Sequence, residues 1–259
     1  MRKFVLGLCL FGNALFAESQ NTPPKVEEPA YHITIGGNYT RAYVKPNANP
    51  SFSGNLGGLQ GEFEYQKANS FYGSGQFAWR YGHVHASNGK RCFQDIRVQE
   101  GLGYTLEVFN PGNLLTFFSG FGYRQFKHDV DLKGMKSVTL RYNDFYVPVG
   151  ILGEFKVVDY LSLGGSLTWM PQVFTSVKVD PLGGTRWITK REVKNFLAEF
   201  DCIFHLDCCV KNLSIGVSPF FEFWQDGSTS AKASSGASLS LPGNSYVFWG
   251  GNVNVKYSF

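Results

Sequence analysis

The C-terminal residues of the chain alternate between apolar and polar side chains. Counting back from the last residue, every second position is apolar, at Phe259, Tyr257, Val255 and Val253. Polar residues such as Lys256 and Ser258 fill the positions between them. A period of two places the apolar side chains on one face of an extended chain, so the pattern predicts a β-strand with one apolar and one polar face.

The same alternation recurs through most of the chain. It marks ten stretches, at residues 31–43, 57–67, 71–85, 94–106, 114–126, 138–155, 161–174, 191–206, 213–225 and 244–259. The connections between these stretches alternate in length, beginning with a long one. The sequence therefore predicts an all-β fold, an antiparallel up-and-down β-barrel of ten strands with both chain ends on one side. Eight or twelve strands are the alternatives.

The composition indicates what surrounds this barrel. The chain contains 24 phenylalanines and 30 glycines, and 16% of its residues are aromatic, yet its mean hydropathy is only −0.15. A transmembrane barrel explains both features, because alternate residues face lipid while the average composition stays polar. After the N-terminal segment, no apolar run approaches the about 18 residues that a membrane helix needs.

The first residues have the pattern of a secretory signal peptide. Arg2 and Lys3 precede a short apolar run, and the small residue Ala17 precedes a polar, proline-rich segment. We expect cleavage after Ala17. The chain then divides into a signal peptide (residues 1–17), a flexible periplasmic leader (18–30) and one transmembrane barrel domain (31–259).

From residue 31 to residue 259 the chain resembles the bacterial outer-membrane β-barrel proteins as a class. The signal peptide, the alternation and the terminal phenylalanine carry the resemblance. It implies that the last strand is also an assembly signal, read by the barrel-assembly machinery at Val253, Val255, Tyr257 and Phe259. It further implies a multi-pass barrel in the bacterial outer membrane, with outer-membrane lipids as partners and the N- and C-termini in the periplasm.

The placement of the arginines predicts a binding surface. Five of them fall near the expected outer ends of strands, at Arg41, Arg80, Arg97, Arg124 and Arg141. At an outer rim they would contact the phosphates of lipopolysaccharide or attract anions into the barrel mouth, because a guanidinium group binds phosphate through two parallel hydrogen bonds. The alternative is that charged residues are simply common where strands leave lipid and enter water, without binding a ligand.

Acidic side chains on the polar strand faces predict the state of the bore. The inward set comprises Glu62, Glu64, Glu154, Glu199, Asp201 and Glu222. The arginines of the third, fourth and fifth strands share these inward faces. A ten-stranded barrel is little wider than an eight-stranded one, whose interior is already filled by side chains. We therefore expect an ionic network that largely plugs the bore, with a narrow open pore as the alternative.

Four cysteines follow the signal peptide. Cys92 lies in an expected outer loop, whereas Cys202, Cys208 and Cys209 lie at or near an expected periplasmic turn. The periplasm is oxidising, so free thiols do not persist there by default. We expect Cys208 and Cys209 to form disulfides with other envelope proteins, with an internal bridge to Cys202 as an option. Inert, buried thiols are the alternative.

Other chemistry has little support in the sequence. Lys and Arg number 24 against 20 Asp and Glu, a net charge of +4, which implies no nucleic-acid partner. The nearest catalytic arrangement is His205 with Asp201 and Asp207, but it falls at the periplasmic end. His83 and His85 share a strand face without a third metal ligand. We therefore predict no enzyme, no metal site and no cofactor.

The sequence thus favours a structural or surface-exposed role, with long extracellular loops and a largely plugged lumen. A narrow, anion-preferring porin is the first alternative, because an arginine-rich mouth would attract anions. A barrel enzyme that acts on peptides or lipids is the second. The class of fold does not decide among these functions.

Overall fold

The structure is a computed structural model that describes most of the chain. The described residues are 30–47, 51–86, 89–131, 138–180, 186–207, 209–229 and 240–259. The expected signal peptide and nearly all of the expected leader lie outside these residues. In the described part of the chain, no helix is long and apolar enough to cross a membrane.

Strands account for nearly all of the described residues. In chain order they are β1 (Tyr31–Pro46), β2 (Phe52–Tyr65), β3 (Ser70–Ala86), β4 (Gly89–Glu107), β5 (Leu114–Asp131), β6 (Val138–Tyr146), β7 (Val149–Val158), β8 (Leu161–Trp169), β9 (Gln172–Asp180), β10 (Arg186–Ile188), β11 (Phe196–His205), β12 (Leu213–Asp226) and β13 (Asn244–Ser258). They form a single antiparallel sheet. The sheet closes on itself because β1 pairs with β13.

The strand segments combine into ten barrel strands because three of these strands are interrupted. β5 pairs with β6 along its later half and with β7 along its earlier half, so β6 and β7 form one barrel strand. β8 and β9 are joined in the same way, as are β10 and β11. Pro148 and Pro171 lie at two of the breaks, where they cannot donate a ladder hydrogen bond. The predicted ten-stranded antiparallel barrel is confirmed.

The two ends of the barrel differ. At the turn end the chain closes through short connections, and the backbones of Tyr31 and Phe259 bond to each other at 2.9 and 3.2 Å. The loop end, opposite, carries the remaining connections. There β3 and β4 extend further than the sequence indicates and leave only residues 87–88 between them. Cys92 therefore lies within β4 rather than in a loop.

The wall separates an apolar outer surface from a filled interior. Outward side chains remain widely exposed, for example Phe121 at 75% and Ile35 at 65%. Soluble monomers rarely expose a continuous apolar surface of this extent, so the outer surface suits lipid. Inside, a cluster of buried side chains fills the loop-end half of the bore, including Phe93, Phe126, Tyr146, Trp224, Tyr246 and Phe248.

One glycine in the wall is covered by an aromatic ring. Gly122 on β5 lies opposite Tyr146 on β6, and a Cβ atom at residue 122 would overlap the tyrosine ring. We expect Gly122→Ala to lower the free energy of unfolding by about 1–3 kcal/mol, because the ring would have to move within a packed core.

Urea titrations of the barrel refolded in liposomes would measure this loss. Gly57 is the matched control, because nothing lies within 4 Å of its Cβ position. We expect Gly57→Ala to change the free energy of unfolding by less than about 0.5 kcal/mol. Equal effects of the two substitutions would contradict the packing of Tyr146 over Gly122.

Candidate functional site

A buried ion cluster spans the loop-end half of the bore. This cluster, here called the plug cluster, consists of Arg80, Asp95, Arg97, Arg124 and Glu222. Arg124 donates from Nε and Nη2 to the two carboxylate oxygens of Asp95, at 2.9 and 2.8 Å, and from Nη1 to Glu222. Arg80 donates to Glu222 at 2.8 Å and lies 3.6 Å from Asp95. Because β12 stands across the bore from β4 and β5, these bonds tie opposite walls together.

Aromatic rings enclose the plug cluster. The guanidinium carbon of Arg124 stands 4.2 Å from the ring centre of Phe126 and 4.6 Å from that of Trp224. Arg80 stands 4.9 Å from the ring centre of Phe220. Each ring face attracts the cation and excludes water from it. The side chains of Arg124 and Glu222 are 0% exposed, so neither charge is solvated by bulk water and each depends on its partners.

A second polar layer lies beside the plug cluster, towards the loop end. The Tyr246 hydroxyl donates to Asp226 at 2.6 Å and lies 3.3 Å from Nε2 of His128. Trp224 also donates to Asp226, from its indole nitrogen at 3.1 Å. All four side chains are buried. Together with the plug cluster, they fill this half of the bore with bonded polar groups and packed rings.

The turn-end half of the bore contains a cavity of about 150 Å³. Its acidic lining consists of Glu62, Glu64, Glu154, Glu199 and Asp201. The cation Lys256 lies among them, with its Nζ atom 3.3 Å from Glu154 and 3.9 Å from Glu64. Arg97 lines the same cavity and lies 3.8 Å from Glu222. The cavity therefore reaches as far as the plug cluster.

The structure divides the expected lumen network between these two sites. Glu222 belongs to the plug cluster, whereas the other five acidic residues of the expected network line the turn-end cavity. Asp95 and Lys256 also take part, although the predicted network did not include them. The same alternation of inward and outward residues could have identified them, because each lies on the inward face of its strand.

The expected arginine rim is not a single surface. Three of its five members are buried in the bore, Arg80, Arg97 and Arg124, which corrects their placement at an outer rim. Their positions in the alternation turn them inward, where carboxylates of other strands neutralise them. Arg41 and Arg141 do face outward, and Arg41 donates to Asn55 at 3.0 Å and to Ser53 at 3.3 Å.

The cysteines lie at both ends of the barrel. Cys92 faces outward on β4, with its sulfur atom 3.2 Å from the Tyr81 hydroxyl. Cys202 lies on β11 with an unbridged thiol, and Cys209 is exposed on the turn that follows. Cys208 lies outside the described residues. Disulfide cross-linking through this turn therefore stays a prediction.

The histidines considered for catalysis or metal binding have other partners. His205 lies between two serine hydroxyls, with Nε2 2.8 Å from Ser162 and Nδ1 3.0 Å from Ser214. The rings of His83 and His85 lie 6.4 Å apart on the outer surface. Among the residues that the structure describes, no three His, Cys, Asp or Glu side chains are grouped so as to hold a metal ion.

The last strand lies within the closed wall. The four residues of the expected assembly signal all face outward and are about half exposed, Val253, Val255, Tyr257 and Phe259. β13 pairs on one side with β1 and on the other with β12. These side chains thus belong to the apolar outer surface, and their recognition by assembly machinery stays a prediction.

A closed antiparallel barrel with an apolar outer surface and a polar, ion-paired bore has the fold of the bacterial outer-membrane β-barrel proteins. A solved structure has the same fold. The outer membrane protease OmpT from Escherichia coli is similar with a TM-score of 0.56 and 12% sequence identity, over 93% of this chain and 100% of that chain. At this identity the likeness establishes the fold alone.

Two further solved structures have lower similarity. The transport unit of the autotransporter AIDA-I from Escherichia coli matches with a TM-score of 0.48 and 12% identity, over 92% of this chain and 93% of that chain. The translocator domain of autotransporter NalP from Neisseria meningitidis matches with a TM-score of 0.45 and 10% identity, over 89% of each chain. No protein-family model and no curated protein sequence matches the chain.

Proposed function

We propose that this protein is an integral barrel of the bacterial outer membrane with a structural or surface-exposed role and a bore closed to solutes. In this proposal the loop end faces the cell exterior and the turn end, with both termini, faces the periplasm. The observation that carries the proposal is the bonding of Arg124 to both Asp95 and Glu222, which links opposite walls across the bore.

A narrow, anion-preferring pore has less support. Such a pore needs solvated cations at its mouth to attract anions. Inside this barrel, Arg80 and Arg124 instead bond to carboxylates, and the buried Arg91 lies against the ring of Phe52. None of these three guanidinium groups is a solvated cation, so they offer little attraction to a passing anion.

We also propose that the protein is not an enzyme. A catalytic pair of a histidine and an acid must be within reach of substrate. Here His128 and Asp226 are buried and bonded through Tyr246. His205 lies between two serines at the turn end. Incubation of the folded barrel with fluorogenic peptides and with phospholipid esters tests this point, and turnover above that of the heat-unfolded protein would contradict it.

The orientation of the barrel can be tested by labelling single cysteines in intact cells. Lys190 is exposed at the loop end and Lys211 is exposed at the turn end. Each is replaced by cysteine in a background in which the four native cysteines after the signal peptide are serine. We expect a membrane-impermeant maleimide to label Lys190→Cys in intact cells. We expect it to label Lys211→Cys only after the outer membrane is permeabilised.

The reverse pattern would contradict the proposed orientation. Equal labelling of both variants in intact cells would contradict the location of the barrel in the outer membrane. Labelling of each variant after detergent extraction controls for the reactivity of the introduced thiol. The mobility difference between heated and unheated samples on gels controls for folding.

A further inference from the structure

Four cationic side chains stand side by side on the outer surface of the barrel near the loop end. This group, here called the cation row, consists of Lys127, Arg141, Lys178 and Arg186. Backbone register places each directly opposite the next, since Lys127 pairs with Arg141, Arg141 with Lys178 and Lys178 with Arg186. Neighbouring strands are about 4.8 Å apart, so the row extends over roughly 15 Å of the wall.

All four side chains of the cation row point away from the bore. The described residues next to them along each strand face the bore, such as the buried Phe126, Tyr142 and Trp187. The side chains of Lys127 and Lys178 are 34% and 32% exposed. The row is therefore accessible from the outer surface of the barrel.

The cation row carries more positive than negative charge. Lys127 lies 3.4 Å from Asp129, and Lys178 lies 3.8 Å from Asp180. Among the described residues, Arg141 makes no ion pair, and its Nε atom is buried without a hydrogen-bond partner. Like charges directly opposite each other destabilise a sheet unless something neutralises them. The row thus has a net positive charge that suits an anionic ligand.

The position of the cation row relates it to the membrane interface. Further towards the middle of the same strands, Tyr123, Phe145 and Phe174 form an outward aromatic row, with ring centres 5.1 and 6.3 Å apart. Between the two rows, Gln125 and Asn143 bond to each other and to the Tyr123 hydroxyl. Aromatic rows of this kind mark the edge of the hydrocarbon region. Lys127 lies four residues, or roughly 13 Å, beyond Tyr123 along the strand.

We propose that the cation row binds the phosphate groups of a phosphorylated glycolipid in the outer leaflet, the lipid A part of lipopolysaccharide. Lipid chains would lie against the aromatic row and the apolar wall, which places the phosphates beside Arg141 and Arg186. Guanidinium groups bind phosphate oxygens through paired, charge-assisted hydrogen bonds. This inference rests on the proposed outer-membrane location, and it names one lipid-facing side of the barrel.

The wall offers a matched control. Arg41 is also a cation on the outer surface near the loop end, but it faces Asn55 and Trp249 on the neighbouring strands and already donates to Asn55. A binding site that depends on several adjacent cations should not include it. Replacing Arg41 therefore removes one outward cation without affecting the cation row.

The test measures binding of lipid A to the purified, refolded barrel in detergent by native mass spectrometry. We expect the double variant Arg141→Ala with Arg186→Ala to bind lipid A about tenfold or more weakly, since two charge-assisted contacts are lost. Arg41→Ala should bind within about twofold of the unsubstituted protein, a difference worth only a small fraction of one such contact. Arg141→Lys with Arg186→Lys should lie between, since charge is kept and paired bonding is lost.

Lipid A from which both phosphates have been removed should bind as weakly as the double alanine variant. Equal binding of phosphorylated and dephosphorylated lipid A, or an equal effect of the Arg41 substitution, would overturn the proposal. Displacement of lipid A by millimolar inorganic phosphate would instead indicate a free-phosphate site and would also overturn it. Because binding is measured on purified protein, its failure is independent of the labelling in cells that tests the outer-membrane location.

Discussion

Replacement of Glu222 by alanine is expected to lower the free energy of unfolding by about 3–5 kcal/mol, the cost of removing one partner from a buried charge network. Glu222 accepts hydrogen bonds from Arg80 and Arg124, and Arg97 lies 3.8 Å away. Without this carboxylate, Asp95 would be the one remaining acidic member of the plug cluster, beside three buried guanidinium groups. The loss would appear as a lower urea midpoint of the barrel refolded in liposomes, monitored by tryptophan fluorescence.

Glu192 provides the control for this prediction, because it is a partly exposed carboxylate near the loop end that forms no ion pair with the described residues. Glu192→Ala should change the free energy of unfolding by less than about 0.5 kcal/mol. Glu222→Gln keeps the shape and one acceptor oxygen but removes the charge, so its loss should fall between those of the two alanine variants. Similar stabilities of Glu222→Ala and Glu192→Ala would show that the plug cluster does not hold the walls together.

Replacement of Trp224 by alanine is expected to lower the free energy of unfolding by a similar amount, about 3–5 kcal/mol. The ring is fully buried, lies 4.6 Å from the guanidinium carbon of Arg124 and packs against Tyr146 and Phe126. Its indole nitrogen also donates to Asp226. Alanine would leave a cavity in the bore and expose charges that are now shielded. Urea titration in liposomes again provides the measurement.

Trp249 on the neighbouring strand is the matched control, because its ring faces outward and is 56% exposed. Trp249→Ala removes contacts with lipid rather than with a packed core. It should therefore lower the free energy of unfolding by less than half as much as Trp224→Ala. An equal or larger loss for Trp249→Ala would mean that the bore contributes little to stability. It would also contradict the packing of Trp224 against the plug cluster.

The strands and their closure could be predicted from the sequence because both depend on local pattern. Alternation shows which residues share a face. It keeps its phase past Pro148, whereas past Pro171 the inward positions change from even to odd residue numbers at a register shift beside Phe174. The two strand segments on either side of each proline lie on one barrel strand, so the predicted number of ten barrel strands is correct. The exact extents did not follow, because β3 and β4 continue beyond the point where their apolar alternation weakens.

The partners of the charged residues could not be predicted from the sequence. Arg80 and Glu222 are 142 residues apart, and their contact depends on the closure and stagger of the whole barrel. The alternation predicts that both side chains face the bore, but it does not predict that they lie at the same height along the barrel axis. The sequence analysis therefore assigned residues of one cluster to two different sites, the arginines to the rim and Glu222 to the lumen network. The cation row depends on register as well, since its members are aligned by pairing among four strand segments.

Single-channel recording would test the closed bore most directly. The refolded barrel, residues 18–259, is inserted into a planar bilayer after its heat-dependent gel shift confirms folding. We expect no conductance steps, because the plug cluster and its aromatic rings fill the bore between Arg97 and the loop end. Regular steps of uniform size from the folded, unsubstituted barrel would contradict a closed bore and would favour a narrow pore.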